Sequence, residues 1–352
     1  MADRKGQVFY NNWVMKKPVE REAKFWEPRN ARVQCHLCPH ECIIAEGNRG
    51  ICGVRENQDG RLMSLIYAAC SSVHPDPIEK KPLYHFHPGS SVLSLGTVGC
   101  NLCCLHCQNF TISKANPDEY RMTELLPEQA VEIAKRHGCE GIAYTYNEPS
   151  IWWEYTYDSA EVAHREGLYT AYVTNGFTSQ EAIQEIAPVL DAANIDVKSM
   201  SDDFYRDICK ARLQPVLDAC VTYLEAGVHI ELTYLIIPSY NDGTNDLKAF
   251  SSWVHDELSP DIPVHFSAFY PAYKMTDLSR TSKQQLLDAY GIAQKVGLRY
   301  VYLGNVPHGD YENTYCPGCK ELLIERHGFT AQIQGLDGTV CKNCGEMIPV
   351  VR

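Results

Sequence analysis

No run of eighteen apolar residues occurs in the 352-residue chain, which excludes a membrane-spanning helix. The opening stretch, "MADRKGQVFYNNWVMKKPVE", mixes charge with polarity and lacks the apolar core of a secretion signal, so a soluble, cytoplasmic protein is expected. Positive charge is also scarce: 32 lysines and arginines stand against 44 aspartates and glutamates, a net charge of −12. That balance offers no field for a phosphate backbone or an anionic bilayer, so neither nucleic acid nor membrane is expected as a partner. Internal repeats and low-complexity segments are absent as well. With 45% hydrophobic residues, the chain is long enough for one barrel-sized core with small appendages or for two ordinary domains.

What the chain has in excess is cysteine. Sixteen would suggest disulfides in a short secreted domain, but in a long chain without an export signal they suggest metal binding or catalysis. Twelve fall into three groups, and the remaining Cys70, Cys139, Cys209 and Cys220 read as small buried hydrophobes.

Residues 1 to about 30 have no clear period and read as an extended arm or small cap. From about residue 90, short apolar runs at 91–98, 141–146, 169–174, 194–199, 229–238, 263–269 and 299–304 read as buried parallel strands. Amphipathic segments at 126–137, 179–190, 213–227, 246–258 and 282–297 read as helices, the first with Pro127 near its start and His137 before Gly138. Strand and helix in alternation mean right-handed βα units on a parallel sheet. Six to eight units close fully or partly into a TIM-like barrel, with a flat doubly wound sheet as the alternative. The expected division is an N-terminal extension over 1–85, a core barrel over 86–311 and a C-terminal module over 312–352.

In such barrels chemistry sits at the C-terminal ends of the strands, and "GCNLCCLHCQN" (99–109) follows the first of them. Cys100, Cys104 and Cys107 have the spacing C-x3-C-x2-C, which lets three thiolates converge on one iron–sulfur cube and leaves one iron open. Cys103 permits the alternative C-x2-C-x3-C, and a zinc site is the bland reading of the group. The spacing resembles the signature of the radical S-adenosylmethionine (radical SAM) enzymes. The longer strings "GTVGCNLCCLHCQNFTISK", "CHLCPHEC", "GNRGICGVREN", "VHPDPIEKKPLYHFHPGS", "AYTYNEPSI", "LGNVP" and "YCPGC" resemble more narrowly the radical SAM member of the AmmeMemoRadiSam system, a relative of pyruvate formate-lyase activating enzymes. The resemblance covers nearly all of residues 30 to 350. It implies a [4Fe-4S] cluster whose open iron chelates SAM, and reductive cleavage to methionine and a 5'-deoxyadenosyl radical that takes hydrogen from a substrate. It favours Cys104 over Cys103 as ligand. The residue before the last cluster cysteine is usually aromatic and packs on adenine; here it is His106, whose planar ring can still stack.

A zwitterionic methionine head and a ribose need polar groups at strand ends. Asn147 and Glu148 end the second strand, where the superfamily often has a Gly-Gly-Glu motif whose glycines are missing here, and they resemble its amino-group acceptors. Thr174 and Asn175 end the next strand and could reach the ribose or carboxylate. Asp196 and Lys198 point the same way along one strand; they read as a buried salt bridge or, as in related activating enzymes, as groups near SAM and substrate. Glu231, Thr233 and Asn241 read either as cofactor ligands or as satisfied structural groups. His265 and Asn305 on the last strands could face the substrate, and Lys198 and His265 are the candidates for a catalytic role.

Cys316, Cys319, Cys341 and Cys344 form two C-x2-C knuckles 21 residues apart, as in a zinc ribbon, with a rubredoxin-like iron site as alternative. Cys35, Cys38, Cys42 and Cys52 could hold zinc or an auxiliary [4Fe-4S] cluster, and His40 could replace one of them. The expected activity is that of a radical SAM oxidoreductase acting on a glycine of a partner protein, with an electron donor such as flavodoxin or ferredoxin. The alternatives are radical transformation of a small molecule alongside the two companion proteins of the system, and a non-catalytic electron carrier or metal-bearing scaffold.

Overall fold

Seven of the apolar runs become strands of a single sheet. The computed structural model describes residues 19–306 and 309–352; the expected N-terminal arm, as far as residue 18, lies outside them. The sheet comprises β1 (Ser72–Pro77), β2 (Ser91–Gly96), β3 (Gly141–Tyr144), β4 (Tyr169–Thr174), β5 (Ala192–Asp196), β6 (His229–Ile236), β7 (Val264–Ala268) and β8 (Val301–Gly304), in consecutive order. Strands β2 to β8 are parallel, while β1 pairs antiparallel with β2, Val73 opposite Leu95. The sheet therefore starts at Ser72, ahead of the boundary expected at 86.

Six helices make the crossovers: α1 (Pro127–Arg136), α2 (Trp153–Arg165), α3 (Gln180–Ile186), α4 (Gln214–Glu225), α5 (Thr244–Trp253) and α6 (Lys283–Val296). Right-handed crossovers between strands that advance in one direction put every helix on the same face, so the sheet curls rather than staying flat. A doubly wound sheet would need a reversal of strand order, and there is none. Among the described residues no pairing joins β8 back to β1. The result is a partial barrel.

Local chemistry accounts for the elements. β3 and β7 are buried at every position, as strands covered on both faces must be. Gly141 is required where β3 meets β4, since a Cβ there would lie 2.3 Å from the Tyr169 ring. Helix α6 opens with a capping box between Ser282 and Gln285 and stops at Gly297, whose φ is 114°. Periodicity places no helix over α2 because the polar Glu154, Thr156 and Ser159 are buried beside Trp153, Tyr155 and Ala160, so polarity does not mark its exposed face. Aromatics at its start anchor it: the indole of Trp152, just before the helix, donates to the Ile66 carbonyl at 2.6 Å, and that of Trp153 to the Ala182 carbonyl at 3.1 Å.

The described segments before and after the barrel pack on different parts of it. Small antiparallel sheets from residues 19–67 carry the first cysteine group against the loop that follows β2. The C-terminal module shares a second apolar core with Tyr84, Tyr300 and Tyr302, built from Cys316, Leu323, Ile324 and Ile348. It is tied to the barrel by hydrogen bonds of 2.8 Å from His87 N to Val351 O and from Val351 N to His85 O.

Candidate active site

At the C-terminal ends of the strands lies a cavity of about 470 Å³, within the range of small-ligand sites. The loop after β2 forms one wall. Its base is clamped by Asn147, whose amide accepts from Thr97 N and donates to Gly99 O, both at 3.0 Å. Gly99, at φ 87°, must be glycine, because a Cβ would meet the Cys52 carbonyl at 2.8 Å. The outer edge is pinned by Cys103 N to Cys209 O at 2.8 Å and Leu105 N to Ile208 O at 3.0 Å.

Pinned in this way, the loop turns three of its thiols inward. Cys100, Cys104 and Cys107 line the cavity, and Cys103 does not. Cys100 Sγ receives the Leu102 amide at 3.4 Å and the Asn175 side-chain amide at 3.7 Å. The Cys107 thiol meets the Ser113 hydroxyl at 3.2 Å. Burial holds Cys100 protonated, and contact with the Cys209 thiol together with burial does the same for Cys104; a metal centre reverses this by deprotonating the thiols it binds.

Opposite the thiols stand strand-end polar groups. Glu148 is buried, accepting Thr174 Oγ1 at 2.7 Å, Asn175 N at 2.8 Å and Ser150 N at 3.0 Å. Burial raises its pKa. Asn175 also bonds Asn101 at 2.9 Å, so a chain of hydrogen bonds runs from Glu148 to the Cys100 thiol. Lys198 Nζ lies 3.0 Å from Asp196; burial opposes its charge, but Asp196 and the nearby thiols of Cys104 and Cys209 raise its pKa. Thr233 and Asn305 line the same space, as does His106. The His106 ring is buried with Nδ1 unpartnered, and burial, aided by Lys198, lowers its pKa to about 3.

Three inward thiols share the cavity with the His106 ring and a set of polar strand ends, donors of the kinds that an iron–sulfur cluster and a polar cofactor use. Residues 94–250 match the family model of the Radical SAM superfamily. This chain belongs to the radical SAM superfamily. Among its relatives is an uncharacterized protein of Methanocaldococcus jannaschii, 48% identical over 334 residues, which are 94% of this chain and 99% of that one. A pyruvate formate-lyase-activating enzyme of Clostridium pasteurianum is 21% identical over 53% of this chain and 83% of its own. The crystal structure of a radical SAM methyltransferase from Sphaerobacter thermophilus is similar over 62% of this chain and 67% of that one, at 15% identity and a TM-score of 0.48. Membership of the radical SAM superfamily implies a [4Fe-4S] cluster and SAM, and the cavity has the donors for both.

Three other candidates lie elsewhere. Asn241 is a turn staple, donating to Lys198 O at 2.7 Å and Leu235 O at 2.8 Å while accepting Ile237 N at 2.6 Å. Glu231 and His265 sit deeper in this radical SAM barrel, joined at 2.7 Å, with His85 N and His229 Nε2 also on the Glu231 carboxylate at 2.6 and 3.2 Å. None of the three lines the cavity. Spacing alone shows which face of β6 a residue shares, not how deep along the strand it lies.

Sequence reasoning assigned no role to Lys80, Lys81 and Tyr146, which line the cavity. Both lysines bond Asp76 at 2.8 Å, Tyr146 OH reaches the same carboxylate at 2.7 Å, and Lys81 Nζ stands 4.8 Å from the Tyr146 ring centre. Burial brings Lys81 down to about 8. No local signal in "DPIEKKP" marks them, because their place at the cavity depends on packing between segments far apart in the chain.

His85 predicts a pH response. Burial lowers its pKa to about 3 against the attraction of Glu231, while the unfolded chain keeps about 6.5. Its neutral form therefore favours the fold above the unfolded value, and stability drains as pH falls from about 6.5 toward 3, by up to about 1.4 kcal/mol per pH unit. Urea midpoints should fall from pH 7 to pH 5, and less steeply in His85→Gln; equal slopes would refute this.

Each C-terminal thiol of the two knuckles lies within 4.8 Å of the others, Cys316 to Cys344 at 3.5 Å and Cys319 to Cys341 at 3.6 Å. That packing suits one tetrahedral ion. Cys70, Cys139, Cys209 and Cys220 are buried.

Proposed function

We propose that the protein is an activating-enzyme-like radical SAM oxidoreductase, whose substrate is a glycine backbone of a partner protein. The carrying observation is that three thiols of one loop, and not the fourth, face a cavity shared with strand-end polar groups. When bound there, a reduced [4Fe-4S] cluster supplies the electron that splits SAM and so the radical that removes hydrogen from the substrate. The chain's own tasks are narrower. Cys100, Cys104 and Cys107 hold the cluster, Asn175 orients the first thiol, and Glu148 fixes Asn175 and the β4 end. His106 offers a flat surface for adenine, while Asp196 and Lys198 bind the charged head or the substrate. The partial barrel and its covering helices exclude competing hydrogen donors. A flavodoxin or ferredoxin is the proposed donor, and the C-terminal thiols hold structural zinc.

Lys80 and Lys81 at the cavity favour a second reading, an anionic small molecule processed with the companion proteins of the AmmeMemoRadiSam system. Anaerobic reaction with dithionite, SAM and co-expressed partners separates the two. A carbon-centred doublet in electron paramagnetic resonance on a partner protein is the expected result. Formation of 5'-deoxyadenosine with no protein radical on any partner would transfer the case to the small molecule.

A further inference from the structure

The N-terminal and C-terminal cysteine quartets belong to one chain but are built differently. The C-terminal thiols crowd to within 4.8 Å of one another, and among the described residues no other quartet does so. Cys35, Cys38, Cys42 and Cys52 instead ring a pocket walled by Leu37, Ile44, Ile51 and Ile151. A single zinc, with sulfurs about 2.3 Å away, draws four thiolates together. A cubane puts each thiolate on a different iron and holds them farther apart.

Two further features suit a cluster. The pocket walls are largely apolar, and solvent exposure is among the factors that set the potential of iron–sulfur centres. The Cys35 sulfur lies 3.9 Å from the buried Arg55 guanidinium, whose charge is balanced by an ion pair with Glu154. His40 is not needed as a ligand, because its Nε2 is engaged with the Asn101 carbonyl at 2.8 Å and its ring packs on Phe177 at 4.9 Å.

We infer that Cys35, Cys38, Cys42 and Cys52 hold a second, thiolate-saturated [4Fe-4S] cluster, seated against the loop that carries the first. The adjacency is direct, since the Cys52 carbonyl abuts Gly99 and His40 bonds Asn101, the residues on either side of Cys100. With every iron capped, this cluster cannot chelate SAM. The assignment does not depend on the substrate proposed above.

The deciding preparation is the full chain carrying Cys100→Ala, Cys104→Ala and Cys107→Ala, purified anaerobically and assayed for iron, sulfide and zinc. About four irons with equal inorganic sulfide are expected to remain, with a reduced-cluster resonance that added SAM leaves unchanged. Iron without sulfide, no iron, or a second zinc in its place would overturn the inference. In the converse variant, Cys38→Ser with Cys42→Ser, iron should fall from about eight to about four per chain with zinc constant. Loss of one zinc at constant iron would overturn it equally. If that variant does not fold, the triple variant still decides.

Discussion

Cys104→Ala should reduce 5'-deoxyadenosine formation from SAM to the level seen without protein, whereas Cys103→Ala should stay within about twofold of the unmodified chain, as substitutions away from functional features do. The two thiols are neighbours in sequence, and composition cannot separate them. The loop separates them: hydrogen bonds from Cys103 N and Leu105 N to the 208–209 segment set its outer edge, and Cys104 then faces the cavity while Cys103 does not. Partners that merely orient a metal ligand are typically worth 10- to 100-fold, so removing a ligand itself should cost more than about a hundredfold. The measurement is nucleoside yield by chromatography under anaerobic reduction, paired with iron content. The outcome that sinks the assignment is the reverse ranking, with Cys103→Ala inactive and Cys104→Ala active. If both variants stay active, the cluster is held in some other way and the proposed chemistry loses its basis.

The second large effect concerns stability. Arg326 is buried beneath the barrel and donates to Tyr84 O at 2.6 Å, Thr314 Oγ1 at 2.8 Å and Glu312 O at 3.1 Å, with its guanidinium carbon 4.2 Å from the Tyr84 ring centre. Glu79, also buried, lies 3.9 Å away. In Arg326→Met the methylene stem is largely kept, but two backbone carbonyls and the Glu79 carboxylate lose their cation. Removing one partner of a buried charge pair costs about 3–5 kcal/mol. Arg326→Met should therefore lower the unfolding free energy by about that amount and expose residues after 312 to limited proteolysis. A urea midpoint within experimental error of the parent would mean that water replaces the guanidinium and that the contact is incidental.

These predictions draw on different depths of information. The order of strands and helices was legible because apolar runs and amphipathic segments alternate with regular spacing, and each of the seven expected strands overlaps an observed one. Antiparallel β1 escaped because His74, Pro75 and Pro77 interrupt any alternation within it. Helix α2 escaped because polar Glu154, Thr156 and Ser159 are buried within it. In the site, Cys100, Cys104 and Cys107 were legible from spacing. Glu148, Asn175, Asp196 and Lys198 were found from their positions at strand ends, and all line the cavity. Glu231 and His265 were drawn from the same kind of position and lie below it, since a few residues along a strand carry a side chain from the mouth to the interior. Lys80 and Lys81 reach the cavity through the β1–β2 connection, a long-range placement with no local signature.

Chain chemistry alone determined that this protein would alternate strand and helix and carry three thiol groups, one of them with the spacing C-x3-C-x2-C, because periodicity and cysteine spacing are local properties. Tertiary structure alone decided which of two adjacent thiols faces the cavity, how deep each polar residue lies, and that one cysteine quartet converges on a point while the other encircles a space. Those outcomes depend on contacts between residues far apart in the chain, such as Cys52 against Gly99 and Arg326 against Tyr84, whose geometry exists only once the sheet has curled and both terminal modules have packed against it.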